Sequence, residues 1–371
     1  MKTNKPLNIV FAIPALGGGG AERVVLNLCR GLQNYENAQC HIVCFSAKRE
    51  YVVPADTDVR ICPLPPKTLF GYRKRCARVL DDFILQNFGR PDAVFANITE
   101  TVKCLRLSRL PVFNILHCPP SIEYLCRQKG IKRWLRKKRV ESDYSTHPAV
   151  CVSEGCREDF LRHFSVSQPV HAILNPIDPQ ELRREASEAE PLSEITAMGN
   201  YIIHIGSFKE AKDHATLLRA YAQSGIKEKL VLLGQPSGKP EFLEHAHRLA
   251  EELGIKEKVR FLGFKANPFP YLRHAKLFVL SSAYEGFAMV LAEAVALGVP
   301  VVSTDCPHGP REIVGNKFAY LLSPVGDSAA LAENIRSAIA SPEKYTVPLR
   351  PDICLNEVCK KYVALIKNKP L

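Results

Sequence analysis

Short runs of β-branched and aromatic residues alternate along this chain with longer stretches in which apolar residues recur every three or four positions. In the first half the short runs are NIVFAIPAL, CHIVCFS, DAVFAN, VFNILH and AVCVS, separated by helix-like stretches such as ERVVLNLCRGLQ and VLDDFILQNF. The second half repeats the scheme with YIIHIG, KLVLLG, VRFLG, KLFVLSS and VPVVSTD, separated by HATLLRAYAQ, EFLEHAHRLAEEL and a helix after Glu285. Strand and helix in strict alternation predict α/β architecture with two parallel, Rossmann-like sheets. The polar, proline-containing stretch NPIDPQELRREASEAEPLSEITAMGN reads as a linker, which divides the chain into domains 1–180 and 181–354. The last helical piece, LNEVCKKYVALIK within 355–371, is left to pack against either half, the first included.

Composition agrees with an enzyme-sized globular chain, since 371 residues of which 46% are hydrophobic suffice for two cores. No stretch of eighteen residues is free of charge, so no transmembrane helix is predicted. The apolar run in MKTNKPLNIVFAIPALGGGG is too short for a secretory signal and reads as a buried first strand, so a cytoplasmic location is expected. Thirteen cysteines, with no C-x-x-C pair, read as reduced core thiols.

Charge separates the halves. Residues 1–180 hold 26 Lys and Arg against 16 Asp and Glu, whereas the remainder holds 24 against 22. The densest run, RQKGIKRWLRKKR, has no acidic residue and spaces Ile131, Trp134 and Leu135 as a helix would. Such a segment suits an acidic surface. Anionic lipid heads or phosphorylated glycans fit it better than nucleic acid, because no nucleic-acid module accompanies it.

Three motifs carry candidate chemistry. GGGGAER lies between the first strand and first helix, where glycine amides approach an anion at a helix start. It is no dinucleotide fingerprint, because Arg23 stands where a third glycine belongs. GSFKEAKD follows YIIHIG and offers Lys209 and Lys212 to a diphosphate. In SSAYEGFAMVLAEAVALGVPVV, Gly286 permits a sharp turn after Glu285, Phe287, Ala288 and Met289 open a helix, and Glu293 lies two turns in. Two carboxylates flanking an amide cluster suit a nucleotide-sugar, with phosphates on the amides and hydroxyls donating to the carboxylates.

With GGGGAER, VCVSEGCREDF, NPID, GSFKEAK and the Glu285/Glu293 element followed by ALGVPVVSTD, the chain resembles family 4 retaining glycosyltransferases of the GT-B fold over nearly its whole length. The resemblance implies a C-terminal domain for the nucleotide-sugar and an N-terminal domain for the acceptor. It implies that Lys212 contacts the diphosphate, Glu293 the ribose and Glu285 a donor-sugar hydroxyl, with Gly18 and Gly19 near the transferred sugar or its phosphate. His117, before Cys118-Pro119-Pro120, matches the family's histidine for donor sugar or acceptor. Ser207 stands where the family commonly has arginine, and Lys209 is the available substitute. Arg23, Lys132, Arg133, Trp134, Lys137 and Lys138 are assigned to an anionic glycolipid acceptor and the cytoplasmic membrane face that presents it.

No metal-ligand cluster follows a predicted strand, so neither metal nor other cofactor is expected and the UDP-sugar serves as co-substrate. DCPHGPRE resembles the matching stretch of bacterial transferases that build lipopolysaccharide core or lipid-linked glycans, often from UDP-N-acetylhexosamines such as UDP-N-acetylglucosamine. Two other classes stay open on sequence. A nucleotide-sugar epimerase would isomerise its substrate without an acceptor, and a nucleic-acid binder would leave both GSFKEAK and the paired glutamates unexplained.

Overall fold

The computed structural model describes residues 5–17, 19–49, 53, 57–67, 71–187 and 192–368, which form two compact units. The first comprises residues 1–176 and 351–371, the second residues 177–350. In the first, strands β1 (Asn8–Ile13), β2 (Gln39–Cys44), β3 (Asp58–Ile61), β4 (Ala93–Asn97), β5 (Val112–Leu116), β6 (Ala149–Cys151) and β7 (Val170–Ala172) form one sheet in the order β3-β2-β1-β4-β5-β6-β7. In the second, β8 (Tyr201–Ile205), β9 (Lys229–Leu233), β10 (Val259–Gly263), β11 (Leu277–Leu280), β12 (Val301–Thr304) and β13 (Leu322–Ser323) run β10-β9-β8-β11-β12-β13.

Neighbouring strands are parallel throughout both sheets, and most residues of the central strands are buried, as continuous apolar runs require. In each sheet the winding direction reverses once, between β1 and β4 and between β8 and β11. In open parallel sheets ligands bind at the carboxyl ends of strands where the winding reverses. The second reversal places the loop after β8 beside the loop after β11, although about 70 residues separate them.

The C-terminal helix Leu355–Ile366 belongs to the first unit. It lies on helix Gly20–Glu36 so closely that a side chain at Gly31 would begin 2.6 Å from Leu355 Cδ1 and 2.8 Å from Cys359 Sγ. Tyr362 packs edge-on against Phe95 of β4 at 5.1 Å. The stretch read as a linker is instead largely structured, with helices Pro179–Glu185 and Leu192–Met198 in the second unit. Asp178 caps the former by accepting from the Gln180 and Glu181 amides, while Leu182, Ile195 and Met198 supply buried apolar contacts. Among the described residues no helix is long and apolar enough to cross a membrane.

Candidate active site

In the second unit, two glycines let the loops after β8 and β9 touch. A side chain at Gly234 would begin 2.1 Å from the Gly206 carbonyl oxygen, and one at Gly206 would begin 3.0 Å from His204 Nε2 and 3.1 Å from Lys212 Cε. The Gly206 and Phe208 amides bond to Leu233 and Gln235, so the loop is fixed before it reaches Lys212. A single 3₁₀ turn, Glu210–Lys212, follows. Its carbonyls are bound from the β11 side: Ser281 Oγ donates to Lys212 at 2.8 Å and the Ala283 amide to Ala211 at 2.8 Å.

These contacts place the Lys212 ammonium 2.7 Å from Glu285 Oε1, which also accepts from Ser282 Oγ at 2.6 Å. The two charged side chains are only 12% and 14% exposed. Burial acts to raise the Glu285 carboxyl, but the Lys212 charge, the bonds from Lys212 and Ser282, and the nearby Lys209 outweigh it and hold the group below its ordinary range. Lys209 itself is exposed and Ser207 half-buried. Sequence reasoning assigned Lys212 and Glu285 to different parts of a ligand; in the folded chain they neutralise each other.

Beyond Glu285 the backbone tightens again. Ala288 adopts φ 60°, and a side chain at Gly309 would meet the Phe287 backbone at 2.7 Å. Helix Met289–Ala296 therefore starts abruptly, with no side-chain cap and no acidic residue in its first turn. The Met289 and Val290 amides precede its first backbone bond, which runs from Leu291 to the Ala288 carbonyl at 3.0 Å, and the helix dipole favours an anion there. Glu293 is almost buried at 5% exposure and interacts within the fold, while Met289 and Val290 remain half-buried.

Two histidines escaped sequence reasoning because each sits inside an apolar pattern. His204 Nδ1 donates to the Val279 carbonyl at 2.9 Å, which leaves Nε2 with a lone pair and no partner among the described residues. His214 packs edge-on against it at 4.9 Å and stacks on Phe208 at 4.2 Å. Burial, with Lys212 nearby, lowers His204 to about 4; burial, with His204 and Lys212, lowers His214 to about 2. Both imidazoles are neutral, so the positive charge behind the loop resides on Lys212. Cys306 is also buried near Glu285, and burial followed by the Glu285 charge pushes its thiol well up.

In the first unit, His117 follows β5 and donates from Nε2 to Asn97 Oδ1 at 2.9 Å. Asn97 ends β4 and is held by its amide nitrogen, 3.0 Å from the Phe95 carbonyl and 3.4 Å from that of Ala12. Burial lowers His117 to about 4, so the ring is neutral and Nδ1 presents a lone pair. Ile98, next in the chain, has φ 68°, a strained value for a β-branched residue. Asn97 and Ile98 had no motif to reveal them.

Gly18 lies outside the described residues. Gly19 caps helix Gly20–Glu36, and a side chain there would begin 2.5 Å from Glu22 Oε2. A carboxylate, absent from the sequence reading, thus folds back on that turn. Arg23 is half-buried and has interactions within the fold. On helix Gly130–Asp143, Ile131, Trp134 and Leu135 are 73%, 56% and 54% exposed. Lys132 is exposed beside them. Arg133 donates to the Leu125 carbonyl at 2.7 Å, whereas Lys138 and Lys137 lie 2.9 and 3.8 Å from Glu141.

Residues 18–181 match the family described as Glycosyltransferase Family 4, and residues 188–348 match Glycosyl transferases group 1. The chain is a glycosyltransferase built from these two domains. This glycosyltransferase is 29% identical over 348 residues, 88% of each chain, to the N-acetylgalactosamine-N,N'-diacetylbacillosaminyl-diphospho-undecaprenol 4-alpha-N-acetylgalactosaminyltransferase of Campylobacter jejuni. It is 33% identical over 177 residues, 46% of this chain and 50% of the other, to the lipopolysaccharide core biosynthesis glycosyltransferase LpsE of Rhizobium meliloti. Its fold is GT-B, and it superposes on Anabaena HepE, solved with UDP and glucose, with a TM-score of 0.74 at 18% identity, covering 98% of this chain and 97% of that one.

Proposed function

We propose that this glycosyltransferase moves a sugar from a UDP-sugar to an anionic lipid-linked glycan, such as a lipopolysaccharide or lipooligosaccharide core, with retention at the anomeric carbon. The observation that carries the reading is the Lys212–Glu285 pair, held at 2.7 Å at the carboxyl end of the second sheet near an uncapped helix start. A nucleotide diphosphate satisfies both Lys212 and the amides of that start. A sugar hydroxyl then replaces the ammonium as donor to Glu285, and the nearly buried Glu293 accepts from the ribose. An N-acetylhexosamine such as N-acetylglucosamine is the proposed sugar.

In the proposed reaction the acceptor hydroxyl attacks the anomeric carbon on the face the nucleotide leaves. The bond from that carbon to the β-phosphate oxygen breaks, and the hydroxyl proton passes to the departing phosphate. Lys212, Lys209 and the helix-start amides stabilise the charge that grows on the diphosphate. No step requires a metal. His117, neutral and oriented by Asn97, offers Nδ1 to a hydroxyl of sugar or acceptor. The exposed Ile131, Trp134 and Leu135 among lysines and arginines support docking of the first unit on the anionic cytoplasmic face of a membrane.

Thermal shift and turnover with UDP-, GDP- and ADP-sugars, in EDTA and with a lipid-linked acceptor, test the reading. UDP-sugars should stabilise the protein and turn over without metal, giving an α-linked product from an α-linked donor by proton NMR. A β-linked product, or preference for another nucleotide, overturns it.

A further inference from the structure

Four cations of the first unit, Lys103, Arg136, Arg139 and Arg73, gather around two carboxylates, Asp143 and Glu123. Helix Ile98–Leu105 leaves β4 directly after Asn97 and carries Lys103 in its last turn. Arg136 and Arg139, one turn apart on helix Gly130–Asp143, line the same recess as Lys103, together with Thr99, Tyr124 and Asp143. Asp143 pairs with Arg73 at 2.5 Å, while Glu123 accepts from the neutral Thr99 hydroxyl and faces the charges of Lys103 and Arg136. Arg136 lies 5.4 Å above the Tyr124 ring. Among the described residues neither Lys103 nor Arg139 has a hydrogen-bond or ion-pair partner.

That arrangement carries a cost. Lys103 is half-buried, and burial first, then the charges on Arg136 and Arg73, push its ammonium below the ordinary lysine range against the opposing charges of Asp143 and Glu123. Like charges held near one another in a partly desolvated recess are stabilised by an added anion more than isolated surface lysines are. The two arginines add planar donors suited to phosphate oxygens.

We propose that Lys103, Arg136 and Arg139 form a phosphate-binding subsite that holds a phosphoryl or diphosphoryl group of the acceptor. This deepens the proposed function and rests on its lipid-linked acceptor. At 100° per residue, Arg139 falls between the recess side of its helix, with Arg136 and Asp143, and the exposed side with Ile131, Trp134 and Leu135. One helix thus offers cations to a phosphate and an apolar ridge to the chain attached to it.

Isothermal titration of inorganic pyrophosphate and of farnesyl diphosphate into the wild type and a Lys103→Met/Arg139→Gln variant tests the subsite. Any binding in the second unit is common to both proteins, so the difference between isotherms isolates the cluster. One site should disappear or weaken at least tenfold in the variant, while UDP affinity stays constant; identical isotherms overturn the proposal. Tighter wild-type binding of farnesyl diphosphate than of pyrophosphate, reduced by Trp134→Ser, supports a lipid-borne phosphate. Equal binding supports the subsite with a soluble phosphate ester as its ligand. Should the double variant not fold, Arg139→Gln alone, at an exposed position, gives the same comparison. Failure of the wild type to glycosylate any lipid-linked acceptor would refute the proposed function, whereas the pyrophosphate isotherms still judge the subsite.

Discussion

Changing Glu285 to glutamine preserves its shape and its bond from Ser282 while removing the charge that faces Lys212. At 2.7 Å the Coulomb attraction of the pair is about 6 kcal/mol for an effective dielectric near 20, before the cost of desolvating both groups is set against it. Leaving one member of a buried pair uncompensated costs roughly 3–5 kcal/mol, and the residual exposure of 12% and 14% argues for the lower end. The second unit should therefore lose about 3 kcal/mol at neutral pH, or roughly 6–12 °C in its unfolding midpoint.

The sign of the pH dependence follows from the depressed carboxyl. Its folded value lies below its unfolded one, so its contribution is fully present above the ordinary glutamate value of about 4.3 and is lost as pH falls through the folded value. Denaturant unfolding of wild type and Glu285→Gln should differ at pH 7 and converge in acid. UDP affinity should hold or rise, because Lys212 no longer leaves a carboxylate to meet the phosphates. Turnover should fall about 10²-fold, the scale for a lost transition-state interaction. A variant as stable as wild type at pH 7, binding UDP more weakly in proportion to its lost turnover, would refute the reasoning.

Other substitutions separate the remaining roles. Glu293→Ala should weaken UDP itself, as read by calorimetry, and unchanged affinity would remove the ribose assignment. Lys212→Ala should lower turnover roughly 10²-fold or more, and near-wild-type activity would transfer the diphosphate role to Lys209. Lys132→Gln with Trp134→Ser should reduce sedimentation with anionic vesicles and leave UDP affinity alone, with binding that fades as salt rises. Those two positions are preferable to Arg133, Lys137 and Lys138, which make contacts within the first unit, and equal binding to neutral vesicles would return the helix to an ordinary solvated face.

The sequence by itself determined the two sheets, because apolar runs followed by helical patterns admit little besides parallel strands with covering helices. It also marked Lys212, Glu285 and Glu293, since charged residues next to glycine turns at strand ends stand out against an apolar background. The partnership of Lys212 with Glu285 was invisible, because residues 73 apart in the chain meet only when β8 and β11 become neighbours. His204, His214 and Asn97 were hidden for the same reason: each occupies a position that reads as core until the fold shows what its polar atoms face. The helices within 175–200 were hidden because a polar, acidic composition masks short segments whose few apolar residues gain burial only against the second unit. Local pattern records what each segment buries, whereas pairing between distant loops, and with it the electrostatics of the site, is set by strand order, which tertiary packing alone decides.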